Sequence, residues 1–231
     1  MDSPPTAPVP PRPRVTNHEV QITDVTDLTS WYKRLTVDAQ GLFEMYNPAP
    51  GAYLNLNLPS PQGTVQRSYS LRGVTNETFI LEFVLHTPPG PGCQWAASAQ
   101  PGMTVTVNEP PYSLVIPHVS QALLIADATA IPAVASIMER ADPAMAMTVI
   151  LADAHPDRER IALPQRENAT LRWVDALRAD DLRAARGSLD PQDCFLWAAG
   201  ERDVAKTVRE FTRGEFLVPR SSQHIQTYWI R

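Results

Sequence analysis

The pattern of hydrophobic and polar positions differs between the first and second halves of the chain. From Val15 to about Leu114, short alternations of apolar and polar residues recur, with Gly or Pro at almost every junction. Alternation with a period of two is typical of a half-buried strand, and short strands at regular spacing are typical of a small barrel. This half therefore predicts a six-stranded antiparallel barrel, with strands in HEVQITDVTDL, WYKRLTVDA, GAYLNLNLP, VQRSYSLRGV, TFILEFVLH and MTVTVNEP.

One segment of this half does not alternate. GCQWAASAQPG is rich in alanine and follows a Gly-Pro-Gly turn. Such a turn is a helix-start signal, so we expect one short helix here.

From Gln121 the pattern changes to buried strands separated by helices. The strands are predicted in QALLIADA, AMTVILADA, ATLRWVDA, DCFLWAAG and HIQTYWIR, and the helices in AIPAVASIMERA, ADDLRAARGSL and RDVAKTVREFTRGEF. Alternating strands and helices predict a parallel sheet with helices on its faces. The predicted class is therefore an antiparallel β domain followed by an α/β domain.

Composition and charge argue against a nucleic-acid-binding protein and against a membrane-spanning one. The 231 residues carry a net charge of −5, so no overall positive field favours nucleic acid as a partner. The apolar runs are interrupted or too short to span a bilayer, and MDSPPTAPVPPRP has no apolar signal-peptide core. Because only Cys93 and Cys194 are present, a reducing compartment is favoured. We expect a cytoplasmic monomer without membrane insertion.

The hexapeptide RSYSLR places an aromatic ring and two hydroxyls between two arginines. It fits an exposed edge strand with solubilising arginines, and it equally fits a strand that binds a flat anionic ligand. The GPGCQWA segment has the same two interpretations, a simple turn or a helix N-terminus that binds phosphate.

Polar residues follow two predicted parallel strands. Asp127 and Thr129 come after the first strand, and Gly200 and Glu201 after the fourth. Ligands bind at the carboxyl ends of parallel strands, yet neither segment matches GxGxxG or a P-loop, and ordinary helix capping would explain both.

In order along the chain, these segments resemble the siderophore-interacting protein family, the ferric-siderophore reductases of the ferredoxin–NADP reductase superfamily. RSYSLR matches the family's Arg-x-Tyr-Thr/Ser-x-Arg. EFVLHTPPGPGCQWA is similar to its strand, His and Gly-Pro-x-Ser-x-Trp-Ala, and ADATAIPA to Gly-Asp-Glu-Thr-Ala-Leu-Pro-Ala. The closing Tyr-Trp is also present, and the resemblance runs from about Val15 to Arg231.

The resemblance implies that residues 15–117 bind FAD and that residues 118–231 bind NADPH or NADH. Residues 1–14 are predicted to be a disordered Pro-rich lead-in because of their proline density. Arg67 would contact the FAD phosphates, Tyr69 would lie against the isoalloxazine, and Ser70 would hydrogen-bond near its N5, which makes Tyr69 and Ser70 the catalytic pair. The implied cofactor-binding residues are Arg67, Ser68, Tyr69, Ser70, Phe83, Val84, His86, Gly92, Cys93, Gln94, Trp95, Ala96, Asp127, Thr129, Ala130, Gly200, Glu201 and Trp229.

The chain departs from the family pattern at three positions. Cys93 replaces the usual Ser of the phosphate turn, and Ala126 and Ala128 replace a Gly and a Glu of the nucleotide segment. A thiol is a weaker donor than a hydroxyl, although the backbone amides of the turn are unaffected.

The implied activity is an FAD-dependent NAD(P)H oxidoreductase that reduces ferric siderophores and releases Fe(II) in the cytoplasm, without a protein metal site. The alternatives are a flavin reductase serving a protein redox partner, or a protein that binds flavin or siderophore without turnover. Basic residues of the C-terminal region would meet the anionic chelate, with Arg220 and Arg231 as substrate-binding residues among Arg209, Arg213, Arg220, His224 and Arg231.

The choice of electron donor depends on the segment ILADAHPDRER. Asp153 would repel the 2′-phosphate of NADPH, whereas Arg158 and Arg160 could bind it. The two arginines favour NADPH, and NADH stays open.

Overall fold

A computed structural model describes residues 16–43, 47–109, 112 and 114–230 of the chain. The lead-in expected at residues 1–14 and Arg231 lie outside the described residues. Two sheets make up the structure, one antiparallel and one parallel, as the two patterns of the sequence predict. Along the part of the chain that is described, no helix has the length and apolar character needed to cross a membrane.

The first sheet has six antiparallel strands in the order β4-β3-β6-β1-β2-β5. Their bounds are β1 Asn17–Asp27, β2 Tyr32–Asp38, β3 Tyr53–Ser60, β4 Gly63–Ser70, β5 Thr78–Val84 and β6 Thr104–Asn108. In β3, Leu54, Leu56 and Leu58 are fully buried, while Asn55 and Asn57 lie on the other face. The alternation predicted from GAYLNLNLP is therefore the alternation between the barrel core and its outer surface.

The barrel closes only partly. Its two edge strands, β4 and β5, meet at a single bridge, in which Arg72 and Ile80 exchange backbone hydrogen bonds of 2.9 and 3.3 Å. The rest of β4 is left as an exposed edge. Helix α1, Pro91–Ser98, lies between β5 and β6 in sequence and packs Trp95 and Ala96 into the barrel core.

The second sheet has five parallel strands in the order β11-β10-β7-β8-β9. These strands and their helices are β7 Gln121–Asp127, α2 Ile131–Arg140, β8 Ala146–Ala152, β9 Ala169–Val174, α3 Ala179–Arg186, β10 Cys194–Glu201, α4 Arg202–Gly214 and β11 Gln223–Trp229. Helix α2 packs on one face, in a core that also takes in Trp31 and Tyr32 of the barrel, whereas α3 and α4 cover the opposite face.

The strand order creates a switch point. After β9 the chain returns to the other side of β7, so the connections that leave β7 and β10 run over opposite faces of the sheet. In open α/β sheets, ligands bind in the crevice at the carboxyl ends of the strands at such a point. The carboxyl ends of β7 and β10 are therefore where a dinucleotide is expected.

The α2 face joins the sheet to the barrel through specific hydrogen bonds. The amide of Gly51 donates to Ser136 Oγ at 3.1 Å, and Trp31 Nε1 donates to Asp157 Oδ1 at 2.6 Å. The Trp31 ring also stacks on His155, with centroids 3.9 Å apart. These contacts hold the barrel against the parallel sheet.

Candidate functional site

The exposed edge of the barrel presents Arg67 and Tyr69 on its concave face. The two residues are two positions apart in β4, so their side chains lie on the same side of the strand. Their register partners are Leu56 and Leu54, whose side chains fill the barrel core. Because the barrel is open here, the Arg67 side chain is exposed to solvent while Tyr69 is half-buried.

The Tyr69 ring at this opening packs on aromatic residues of the barrel core. The Tyr69 ring lies 4.3 Å from Phe83 at an angle of 41°, and Phe83 lies 5.6 Å from Trp95. Burial raises the pKa of Tyr69 to about 12, although the positive charge of Arg67 acts in the opposite direction. The phenol is therefore neutral at physiological pH and can donate a hydrogen bond.

The first turn of α1 packs directly against Tyr69. A Cβ atom at Gly92 would overlap the Tyr69 hydroxyl and would lie 2.9 Å from Tyr69 Cζ. The helix starts here because Gly90 is its N-cap and Pro91 occupies its first position. A helix N-terminus leaves its first N–H groups without partners inside the helix, so a phosphate can bind at this turn.

The thiol of Cys93 is turned toward the preceding loop. It accepts from the amide of His86 at 3.3 Å and lies 3.6 Å from the His86 carbonyl oxygen, to which it can donate. The thiol thus joins the loop to the helix. The side chains of His86 and Gln94 are exposed, and Gln94 Nε2 donates to the carbonyl of Pro89 at 3.3 Å.

The two serines of RSYSLR lie on the opposite face of β4 from Arg67 and Tyr69. Ser68 Oγ donates to Asn55 Oδ1 at 2.7 Å and belongs to the outer polar surface of the barrel. Ser70 is buried, and its hydroxyl lies 3.4 Å from the hydroxyl of Tyr228. Burial raises the pKa of Tyr228 to about 12, so this phenol is neutral as well. The Ser70–Tyr228 contact joins the barrel to the last strand of the parallel sheet.

At the switch point, one carboxylate gathers four donors. Asp127 Oδ1 accepts from the amide of Thr129 at 2.8 Å and from its hydroxyl at 2.5 Å. Asp127 Oδ2 accepts from the amide of Glu201 at 2.7 Å and from Trp229 Nε1 at 2.9 Å. The ends of β7, β10 and β11 are therefore fixed to one another.

Gly200 permits this arrangement. Its φ is +146°, and a Cβ there would lie 2.6 Å from Asp127 Cγ and 2.7 Å from Asp127 Oδ2. No side chain fits at this distance, so β10 can approach the carboxylate only with glycine at this position.

Among the predicted basic residues of the C-terminal region, Arg220 lies away from the switch point. Arg220 precedes β11, at the opposite end of a strand whose seven residues extend for about 20 Å before Trp229. Arg209 donates to the carbonyl of Ile225 at 3.0 Å, and burial lowers the pKa of His224. Arg213 is exposed in the last turn of α4, and Arg231 lies outside the described residues.

Two further predicted residues are apolar and only frame the site. Ala130 is fully buried at the start of α2, and Val84 is half-buried at the end of β5. In the described ranges, no group of three or more His, Cys, Asp and Glu side chains is placed to hold a metal ion.

The sequence did not single out Arg72 and Tyr228 as parts of the site. Arg72 is buried and binds the carboxylate of Glu82 as well as the carbonyl of Ala162. Tyr228 was visible only as the neighbour of Trp229. Their partners are far away along the chain, so no local pattern indicated them.

The geometry fits FAD. A half-buried tyrosine ring that packs on Phe83, an exposed guanidinium and a glycine-bearing helix start lie together on the open side of the barrel. An isoalloxazine stacks on aromatic rings, and a pyrophosphate binds guanidinium and helix N–H groups. The close approach of Tyr69 to Gly92 is the feature that makes this a shaped cradle and not merely an exposed strand.

Comparisons with known proteins agree with this geometry. Residues 63–114 match the model of the siderophore-interacting FAD-binding domain, and residues 119–231 match that of the siderophore-interacting protein. The mycobactin import ATP-binding/permease protein IrtA of Mycolicibacterium smegmatis is 30% identical over 223 residues, which cover 92% of this chain and 26% of IrtA. The ferric vibriobactin reductase ViuB of Vibrio cholerae is 25% identical over 75% of this chain and 65% of its own length.

Among solved structures, a siderophore utilization protein from T. fusca superimposes with a TM-score of 0.81, at 24% identity and 94% coverage of both chains. The chain thus spans about a quarter of the length of IrtA but nearly the whole of this single-chain relative. With an FAD-binding domain followed by the family's second domain, this chain belongs to the siderophore-interacting protein family.

Proposed function

We propose that this protein is an FAD-dependent NAD(P)H oxidoreductase that reduces ferric siderophores and so releases Fe(II). The observation that carries the proposal is the Ser70–Tyr228 contact of 3.4 Å, which joins the FAD cradle to the strand that supplies Trp229 to the Asp127 cluster. A donor bound at the switch point and a flavin bound in the barrel would meet at this contact. The names of ViuB and of a ferric acinetobactin reductase from Acinetobacter baumannii support the same chemistry.

The residues of the chain bind and orient the reactants. Arg67 and the first turn of α1 would hold the FAD phosphates, while Tyr69 and Phe83 would support the ring system. Bound FAD would accept an electron pair from the nicotinamide and pass single electrons to Fe(III). Ser70 would share a hydrogen bond with the flavin edge, and its position is set by Tyr228.

The Asp127 cluster would shape the nicotinamide site. Its four hydrogen bonds fix three strand ends, which gives the donor a rigid surface at the switch point.

Both cysteines are free thiols, as a reducing compartment would leave them, and we place the reaction in the cytoplasm.

Anaerobic mixing tests this proposal. The FAD-loaded protein should lose its oxidised flavin absorbance on addition of NADH or NADPH, and a ferric tris-catecholate should restore it while a ferrous-specific chelator traps Fe(II). A spectrum that NADH and NADPH both leave unchanged would identify a non-catalytic flavin-binding protein. Reduction without reoxidation by the chelate, but with reoxidation by an electron-carrier protein, would identify a reductase for a protein partner.

A variant of Gly200 tests the role of the switch point. Gly200→Ala should slow donor-driven flavin reduction by at least about 100-fold, because its Cβ displaces the Asp127 carboxylate and the left-handed φ strains alanine. The variant should keep its FAD, since the cradle lies in the barrel. Stopped-flow rates and flavin content measure the two effects. Gly214→Ala is the matched control, because nothing lies within 4 Å of its Cβ. Equal rates in the two variants would remove the Asp127 cluster from the donor site.

A further inference from the structure

Three adjacent strands of the parallel sheet end in register, and acidic residues lie at these ends. Asp127 of β7 pairs with Ala152 of β8, and Ala152 pairs with Val174 of β9. Asp153 and Asp175 follow directly after these paired residues. Since neighbouring strands lie about 4.8 Å apart, the two carboxylates extend the edge that begins at Asp127.

One carboxylate oxygen of Asp153 is available to accept a hydrogen bond from a ligand. Its Oδ1 accepts from the amide of His155 at 2.8 Å and contacts His155 Nδ1 at 2.9 Å. No hydrogen bond from the described residues reaches its Oδ2. An acidic residue at the end of the second strand is the usual partner of the adenosine 2′-hydroxyl of NAD.

Arg158 already forms an ion pair with a carboxylate of the protein. Its Nη1 donates to Asp175 Oδ1 at 2.6 Å and to the backbone carbonyl of Asp153, and its guanidinium lies 5.8 Å from the centre of the Trp173 ring. The side chain is only 18% exposed. A phosphate would have to compete with the Asp175 carboxylate for this guanidinium, and that competition opposes binding of a 2′-phosphate.

The surrounding charge is negative. Arg160, in the same turn as Arg158, is exposed, so the segment offers two guanidinium groups. Within residues 153–160, three carboxylates stand against these two guanidinium groups, those of Asp153, Asp157 and Glu159, and Asp175 is the partner of Arg158. A phosphate monoester carries close to two negative charges at neutral pH, so this edge repels it.

We propose that Asp153 and Asp175 make the protein select NADH over NADPH, Asp153 by accepting from the ribose 2′-hydroxyl and Asp175 by occupying Arg158. The proposal rests on the proposed function, because it assumes that a nicotinamide donor binds at the switch point. It differs from the preference for NADPH that the two arginines of the sequence suggest.

Equilibrium binding of two small nucleotides tests the selection without turnover. The FAD-loaded protein should bind 5′-AMP at least about tenfold more tightly than 2′,5′-ADP in calorimetric titrations, since like charges a few ångströms apart interact on that scale. The ratio of kcat/KM for NADH and NADPH should show the same preference. Tighter binding of 2′,5′-ADP would overturn the selection but leave the proposed function intact. Failure of both nucleotides to bind, together with no reduction by NADH or NADPH, would overturn the proposed function itself.

Three charge-removing variants separate the two roles. Asp153→Asn keeps the oxygen that accepts from the His155 amide, and it should weaken 5′-AMP binding while strengthening 2′,5′-ADP binding. Asp175→Asn should leave 5′-AMP binding unchanged and raise 2′,5′-ADP affinity about tenfold, since it frees Arg158. Adding Arg158→Gln to Asp175→Asn should cancel that gain. Asp27→Asn removes one exposed charge on the barrel and should change neither affinity. A change in Asp27→Asn equal to that in Asp175→Asn would overturn the local role of Asp175.

Discussion

Gly92→Ala should leave the protein folded but colourless. The added methyl group would occupy the space of the Tyr69 hydroxyl and lie 2.9 Å from Tyr69 Cζ. Tyr69 cannot give way easily, because its ring packs against Phe83 and is half-buried. The phenol must then turn out of the cradle or α1 must move away from β4, and either change removes part of the surface that we propose binds FAD.

We expect FAD affinity to fall by at least about 100-fold, which corresponds to about 2.7 kcal/mol. Flavin content after purification and fluorescence titration of the apoprotein with FAD measure this loss. Far-UV circular dichroism should be unchanged, since alanine favours the helix more than glycine does.

A double variant distinguishes the contact from a general defect. Tyr69→Phe removes the hydroxyl that meets the new methyl group, so Tyr69→Phe/Gly92→Ala should bind FAD more tightly than Gly92→Ala alone. The recovery should be partial, because the ring carbon stays close. Gly214→Ala, a substitution in open space, should bind FAD normally. A yellow Gly92→Ala protein with normal affinity would show that the Tyr69–Gly92 contact does not form the cradle.

The elements of the fold could be predicted because their signals are local. In GAYLNLNLP the period of the leucines is the period of the strand, so burial of Leu54, Leu56 and Leu58 follows from the pattern alone. The Asp127 cluster could also be predicted from the sequence. Asp127 ends the buried strand β7 and Gly200 is the penultimate residue of the buried strand β10, and the carboxyl ends of parallel strands meet at one edge.

What the sequence could not show depends on distant partners. RSYSLR presents two chemically identical arginines, yet Arg67 is exposed and Arg72 is buried, because Glu82 and the carbonyl of Ala162 lie opposite only Arg72. Likewise, Arg158 is an available cation in the sequence, but Asp175, seventeen residues later, occupies it.

Separation along the chain says little about separation in space within an extended strand. Arg220 is close to Trp229 along the chain, but an extended strand separates them and places Arg220 at the amino end of β11. A helix of the same number of residues would have spanned less than half that distance.

The largest loss of stability is expected from Glu82→Gln. The Glu82 side chain is completely buried in the barrel wall and accepts from Arg34 at 2.5 and 2.8 Å, from Tyr32 at 3.0 Å, and from Arg72 at 3.1 Å. Burial and the neighbouring carboxylate raise the pKa of Tyr32 well above its usual range, so the phenol stays a donor. Removing the charge leaves the Arg72 guanidinium buried without its full anionic partner.

Breaking a buried ion pair from one side costs about 3–5 kcal/mol, because the remaining charge is neither solvated nor paired. For a chain of this size, that loss corresponds to a melting temperature lower by roughly 10 °C. Urea unfolding and thermal scans of the FAD-free protein measure it directly. Glu77→Gln, at an exposed position one residue before β5, should change the melting temperature by less than about 2 °C.

Replacing the arginine side of the network has a further consequence. Arg72 donates to the carbonyl of Ala162 at 3.3 Å and lies 3.9 Å from Glu139, so it connects the barrel to the parallel sheet just beyond Ser70. Arg72→Met should therefore lower stability and also slow donor-driven flavin reduction, while photochemical reduction of the bound flavin keeps its rate. Arg34 is 24% exposed and does not reach the second sheet, so Arg34→Met should cost less stability and leave the donor-driven rate unchanged. Equal donor-driven rates in the two variants would confine the role of Arg72 to holding the barrel together.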